Sequence, residues 1–308
     1  MTRAGAPPFD RVALVGLGLI GSSVARAARR AGLARTIVAC DRDEAVLARV
    51  AELGIADEIE PDPAAAVSDA DLVVLCIPVG AFAAVGALIG PALKPGAIVT
   101  DTGSVKGSVV EQLGPHVPAG VHLVPAHPVA GTEYSGPDAG FATLFRDRWC
   151  ILTPPDGTDG DAVAAVSAFW TGMGANVEIM TPAHHDLVLA ITSHVPHLIA
   201  YNIVGTAADL ETVTQGEVVK FSAGGFRDFT RIAASDPTMW RDVFLHNGPA
   251  VLEMLARLNE DIAILARAIR WGNGEALFDL FTRTRAIRRG IISQGQETPE
   301  PDFGRRRD

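Results

Sequence analysis

Gly16-Leu17-Gly18-Leu19-Ile20-Gly21 follows a β-branched apolar run, Arg11 to Val15, and precedes an Ala-rich helical stretch reaching about Arg30. In that setting each glycine has its own use. The first permits a tight turn, the second lets the backbone approach a pyrophosphate, and the third lets the helix pack on the strand. The phosphates of a dinucleotide would then face the exposed amides and the positive end of the helix. Asp41 stands twenty residues after Gly21 and ends a second strand, Thr36 to Cys40. It is placed to accept hydrogen bonds from the adenine-side ribose. A carboxylate there also repels a 2′-phosphate, which favours NAD, although Arg42 next to it can meet such a phosphate and keeps NADP open. Glycines that served turns alone would not need the strand, the helix and the acid around them. The expected cofactor set is Gly16, Leu17, Gly18, Leu19, Ile20, Gly21, Asp41 and Arg42, with Ile77 and Pro78 at the end of a third strand, Asp71 to Ile77.

Further strand-like runs at Ala97 to Thr100, His122 to Pro125, Trp149 to Thr153 and Asn176 to Met180 alternate with helical ones. That alternation predicts βαβ units and a mostly parallel sheet. After Thr181-Pro182 helical periodicity takes over, from Ala183 to Ser293. The expected architecture is α/β: an N-terminal Rossmann-type, doubly wound sheet over residues 1–181, then an all-helical domain over residues 182–308. A chain of 308 residues fits two such domains. With 48% hydrophobic and 20% charged residues it has ample core. A net charge of −10 argues against a nucleic-acid partner, whose phosphates need a basic surface. An anionic small substrate would need a local positive pocket. Cys40, Cys76 and Cys150 form no CxxC pair, so no metal site or disulfide framework is expected. Residues 1–10 carry no apolar signal core, and no apolar run reads as long enough to span a membrane. A soluble, cytoplasmic protein is the expectation.

The second centre of interest is His127-Pro128-Val129-Ala130-Gly131-Thr132-Glu133. Imidazole is the side chain that changes charge near neutral pH without help. Pro128 biases His127 toward an extended backbone. The segment follows the His122 run, and in open α/β sheets ligands bind beyond the carboxyl ends of strands. This reads as a catalytic loop, with a histidine that merely hydrogen-bonds locally as the alternative. Ser104, in Asp101-Thr102-Gly103-Ser104-Val105-Lys106, either caps the helix that starts at Lys106 or helps hold a substrate hydroxyl near His127. In the helical half, Ser193, His197 and Tyr201 recur every four residues and share a face, and Pro196 should kink their helix. Arg227 and Arg231 lie one helical turn apart, an arrangement that an anion would relieve, unless Asp228 pairs with Arg231. Ser235-Asp236-Pro237 reads as a cap with proline at the first helical position, and Trp240 lies just inside.

Taken in order, Gly16 to Gly21, Asp101 to Lys106, His127 to Gly136, Ser193-His194-Val195-Pro196-His197 and Gly224 through Trp240 resemble the prephenate/arogenate (cyclohexadienyl) dehydrogenase family of tyrosine biosynthesis. The resemblance covers nearly the whole chain, and its HPxAGTE, SHxPH and GGFxDFTRIAxSDPxMW patterns are specific. It implies NAD- or NADP-dependent oxidation of a cyclohexadienyl hydroxyl with loss of carbon dioxide. It implies His127 as the catalytic base and Ser104 as the serine that orients it. It also implies substrate contacts from His197 and Arg231, with Arg231 the carboxylate partner and Arg227 keeping the charge where relatives often have lysine. Ser193, Thr132 and Trp240 are further candidates for the substrate site, as is Glu133, which could attract a substrate amino group or merely cap its loop. Homodimers built through the helical domain are the family's usual form. Neither a chorismate mutase nor an ACT module is expected here, so built-in tyrosine feedback is not. Two other readings compete: a different two-domain hydroxyacid dehydrogenase, which typically uses a lysine in the helical half, and a non-catalytic dinucleotide sensor. The sensor leaves His127, His197 and Arg231 without a purpose.

Overall fold

A computed structural model describes residues 8–132, 134–209, 217–222 and 224–293. Six parallel strands form the main sheet: β1 (Phe9–Val15), β2 (Ala34–Cys40), β3 (Glu58–Ile59), β4 (Leu72–Leu75), β5 (Ile98–Asp101) and β6 (His122–Leu123). Their order, β3-β2-β1-β4-β5-β6, is that of a dinucleotide-binding sheet, with the topological switch between β1 and β4. The strands are apolar on both faces because both are covered. Val12, Leu14, Leu72 and Val74 face one core, which contains α1 (Leu19–Ala31) and α6 (Gly160–Gly172) through Val24, Ala28, Phe169 and Trp170. The alternate residues, Ala13, Val15, Val73 and Leu75, face the other core. There they meet α3 (Pro63–Val67), α4 (Phe82–Ile89) and α5 (Lys106–Leu113) through Ala66, Phe82 and Val109. Between β2 and β3, α2 (Glu44–Leu53) is capped by Asp43, whose side chain accepts from Ala45 N.

The chain departs from the expected single sheet at Pro125. β7 (Ala126–Pro128), β8 (Trp149–Leu152) and β9 (Asn176–Ile179) make a separate three-stranded sheet, antiparallel between β7 and β8 and parallel between β8 and β9. His127 therefore lies in a strand, opposite Ile151, and not in a loop. Pro125 has no N–H to continue the β6 ladder. The next amide, Ala126 N, is taken by Asp101 Oδ1 at 3.1 Å, which ties the start of β7 to the end of β5.

From Pro182 onward every element among the described residues is helical. α7 (Pro182–Leu189) passes through a π-helical turn, Ala190–His194, into α8 (Val195–Asp209). The expected disturbance at Pro196 takes the form of this widened turn just before it. By length and composition alone Pro182–Asp209 could cross a membrane, contrary to the sequence expectation. In the fold, its residues His185, Asp186 and His194 are buried against β7, the start of α5 and the end of the Pro237–His246 helix. Next come α9 (Glu217–Lys220), α10 (Gly224–Thr230), a 3₁₀ turn at Arg231–Ala234, α11 (Pro237–His246), α12 (Gly248–Arg270) and α13 (Gly274–Ser293). Asp236 caps α11 through Met239 N, with Pro237 in the first turn. The chain divides into two compact units, Met1–Val251 and Leu252–Asp308. The first carries both sheets together with α7 to α11. The second is helical and exposes Ile262, Ile269, Trp271, Phe278 and Phe281.

Candidate functional site

The glycine segment has the three properties the sequence asked of it. Gly16 has φ 94°, a left-handed value, and a Cβ there would collide with the Cys76 carbonyl. A Cβ on Gly21 would collide with the carbonyl of Gly16, so turn and helix touch through backbone. A Cβ on Gly18 would meet nothing within 4 Å. That opening lies at the N-terminus of α1, whose first turn has no acidic residue and whose N-cap makes no side-chain bond. The free amides and the helix dipole thus face open space, which suits a pyrophosphate. Leu17 is fully buried, so it can offer a ligand only its backbone, whereas Leu19 and Ile20 are half-buried. Asp41 holds the loop: its Oδ2 accepts from Leu17 N at 2.7 Å and its Oδ1 from Asp43 N at 3.1 Å. Ile77 lies against Gly16, and Pro78 is exposed next to it beyond the end of β4. Arg42 is exposed and makes no ion pair among the described residues. These groups fit a dinucleotide with an unsubstituted adenine-side ribose. Asp41→Ser should weaken NAD binding about tenfold, the scale of one charged hydrogen bond, and should narrow the preference for NAD over NADP. Unchanged discrimination in steady-state kinetics would remove Asp41 from that role.

Around His127, which is 8% exposed, the structure assembles a buried polar cluster. His127 Nδ1 lies 2.8 Å from His185 Nε2, and His185 Nδ1 lies 2.8 Å from Asp186 Oδ1. The Asp186 carboxylate also accepts from the first amides of α5, Lys106 N and Gly107 N, each at 2.8 Å. Lys106 and Asp101 are a fully buried ion pair. Lys106 Nζ donates as well to Ala126 O at 2.7 Å, one residue before His127. Burial pushes the Asp101 carboxyl up and the Lys106 ammonium down, each opposed by the charge of the other. Burial, reinforced by His185, Lys106 and His194, holds the His127 pKa well below the ordinary imidazole value. His127 is therefore a neutral, poised acceptor at neutral pH. Ser104 does not cap α5. The N-cap is Val105, the capping bonds come from Asp186, and the half-buried Ser104 hydroxyl has no hydrogen-bond partner among the described residues. Local propensity favoured the serine, but a carboxylate eighty residues away in sequence takes the amides.

A second group lies on the helices. The His197 ring stacks on Trp240 with centroids 3.6 Å apart, and its Nδ1–H donates to Ser193 O at 2.8 Å. The face shared by Ser193, His197 and Tyr201 is thus used, with Ser193 acting through its carbonyl and Tyr201 Oη donating to Ser235 O at 2.8 Å. Burial lowers the His197 pKa, and the charge of Arg231 adds to the shift, so the guanidinium lies within electrostatic reach of the ring. Arg227 is exposed and contacts Asp228 at 3.4 Å, so the carboxylate that was the alternative partner for Arg231 meets Arg227. His194 joins the two groups. Its Nδ1 accepts from Asn247 Nδ2 at 3.0 Å, its ring lies 6.0 Å from Trp240, and burial takes its pKa down to about 4. Thr132 is exposed and lines a groove of about 370 Å³ with Phe141, Thr143, Arg146 and Arg148. Glu133 lies outside the described residues. Sequence reading missed His185, Asp186, Lys106, Asp101 and Asn247 as parts of the site. A signal for the first two was present: two polar residues on the inward side of an apolar helix that starts at Thr181-Pro182.

Comparison with known proteins places the chain in a family. Residues 24–179 match the family model for the prephenate dehydrogenase nucleotide-binding domain, and residues 181–283 that for the prephenate dehydrogenase dimerization domain. A cyclohexadienyl dehydrogenase of Zymomonas mobilis is 43% identical, over 91% of this chain and 95% of its own. A prephenate dehydrogenase of Bacillus subtilis is 32% identical, over 92% of this chain and 76% of its own. The crystal structure of the Aquifex aeolicus prephenate dehydrogenase with hydroxyphenyl propionate and NAD+ superposes with a TM-score of 0.86 at 35% identity, covering 92% of this chain and 98% of that one. Matched in both its sheet and its helices, and close to full-length relatives, this chain belongs to the prephenate dehydrogenase family.

Proposed function

We propose that the protein oxidatively decarboxylates prephenate to 4-hydroxyphenylpyruvate, arogenate to tyrosine, or both, with NAD as hydride acceptor. The observation that carries this is the pairing, within one compact unit, of an open glycine cradle with a buried, neutral His127. Bound NAD supplies the site for the hydride that leaves the hydroxyl-bearing ring carbon. His127 accepts the hydroxyl proton as that hydride departs. When the C–C bond to the carboxylate breaks, its electron pair enters the ring. The former hydroxyl oxygen becomes phenolic and takes the proton back from His127. Such proton transfer contributes about 10²–10⁴-fold. Ser104 is assigned to the ring hydroxyl, to which its unengaged hydroxyl can turn. Arg231, with His197 beside it, is assigned to a substrate carboxylate, where a guanidinium fork is effective. Arg227, Thr132, Ser193, Trp240 and Glu133 complete the proposed substrate set. Residues 1–181 are assigned to the nucleotide and 182–308 to substrate and subunit contact. A homodimer is supported by the dimerization-domain match, and the cytoplasm is the assigned location.

Formation of NADH from prephenate and from arogenate, followed at the nicotinamide absorbance, tests this directly. Absence of NADH with both substrates would refute the assignment, and a response to one alone would fix the side chain recognised. Arg231→Ala is expected to raise KM for the substrate about 10–100-fold, the scale of a charge-assisted bond, with kcat changed only a few-fold. An unchanged KM would move the carboxylate to another cation.

A further inference from the structure

We propose that His185 and Asp186 are positioning residues that fix the tautomer of His127, so that its Nε2 carries the lone pair facing the substrate. The inference rests on the reading of His127 as the base and specifies how that base is held.

The assignment runs outward from Asp186. An ionised carboxylate only accepts, and Asp186 Oδ1 already accepts from Lys106 N while Oδ2 accepts from Gly107 N. The 2.8 Å contact with His185 is therefore His185 Nδ1–H donating to Asp186. In a neutral imidazole the other nitrogen is then an acceptor. So His185 Nε2 accepts, and His127 Nδ1–H donates to it across 2.8 Å. This leaves His127 Nε2 unprotonated. Both rings are neutral near pH 7, because burial lowers both pKa values. The charged and titratable groups around the pair are Asp101 from β5, Lys106 from α5, Asp186 from α7, His194 from the π turn, and Cys150 from β8. None of them competes for the bond between the two rings.

The parts are held independently of the reaction. Asp186 is fixed by two amides of α5, and its carbonyl accepts from Asn247 Nδ2 at 2.9 Å. His127 is fixed by its place in β7. When His127 takes a proton at Nε2, its Nδ1–H stays directed at His185, and the Asp186 charge behind His185 stabilises the imidazolium. The proton does not travel to Asp186, whose oxygens are already engaged. The arrangement follows the logic of an acid that orients a catalytic imidazole, extended by one ring.

Two substitutions separate the two bonds of His185. His185→Gln places an amide oxygen near the former Nε2 and keeps an acceptor for His127. His185→Asn keeps a polar group near the former Nδ1 but loses the bond to His127. In ¹⁵N-histidine-labelled wild type, imidazole nitrogen shifts should report His127 as the Nδ1–H tautomer. In His185→Asn the signal should become a mixture, with kcat down about 10–100-fold and KM for NAD and substrate unchanged. His185→Gln should restore the tautomer and most of kcat. Wild-type kcat and tautomer in His185→Asn, with His127→Ala inactive, would overturn the positioning role and leave the His127 reading intact. Equal losses of kcat and thermal stability in both variants with an unshifted tautomer would reduce His185 to a packing role and also overturn it. An active His127→Ala would instead remove the reading of the base itself.

Discussion

Replacing His127 with alanine is expected to lower kcat by about 10²–10⁴-fold, the usual contribution of a positioned general base, while NAD and substrate bind as before. The pH profile supplies an independent check. The neutral imidazole is the active form, and burial holds its pKa well below the ordinary value. Activity in kcat/KM should therefore persist as pH falls through about 6.5, the free imidazole value, and be lost only below it. The sign for stability is the same. Protonating this buried ring is disfavoured in the folded state, so its contribution is complete above the unfolded pKa and fades as pH falls toward the folded one. A variant with near-normal turnover, or an acid limb at or above the free imidazole range, would show that another group takes the proton.

Gly21→Ala and Gly18→Ala should part company just as sharply. A Cβ at position 21 meets the Gly16 carbonyl, which belongs to a turn that Asp41 and the Cys76 backbone confine. Neither side can give without moving β1 against α1, so a loss of about 3 kcal/mol or more in unfolding free energy is expected. Position 18 is exposed with open space around it, and alanine there should change stability by only about 0.5 kcal/mol. Its cost should fall on the cofactor instead, with KM for NAD up about tenfold or more as the methyl group fills the approach to the pyrophosphate. Denaturant melts and NAD titrations of the two variants measure both. A Gly18→Ala enzyme with unaltered NAD affinity would place the phosphates elsewhere.

How far the chain could be read beforehand depended on whether the deciding contact was local. The β1–turn–α1 unit, the place of Asp41 at the end of β2 and the cap at Asp236 were legible because each is settled within a few residues of itself or by a fixed spacing. The second sheet was not. A four-residue apolar run such as Trp149 to Leu152 has the same pattern whichever sheet it joins, and only the break at Pro125 and the hold of Asp101 on Ala126 direct β7 away from β6. Ser104 was read as a possible cap because serine favours that place, and the tertiary competitor Asp186 is invisible to any window along the chain. His127 itself was found, but its setting was not: it sits in a strand, and its partner His185 lies 58 residues away. On α8, His197 was read as part of a stripe with Ser193 and Tyr201, His185 on α7 was not read at all, and the π turn that carries the buried His194 was foreshadowed only by Pro196.

The reach of Asp186 across to α5 bears on how such enzymes can be recombined. A chimera joined at residue 181, where the two family descriptions meet, would take the histidine from one parent and its orienting carboxylate from the other. Crossovers placed after Leu189 would keep both with the helix they serve, and libraries built that way should yield a larger share of active hybrids.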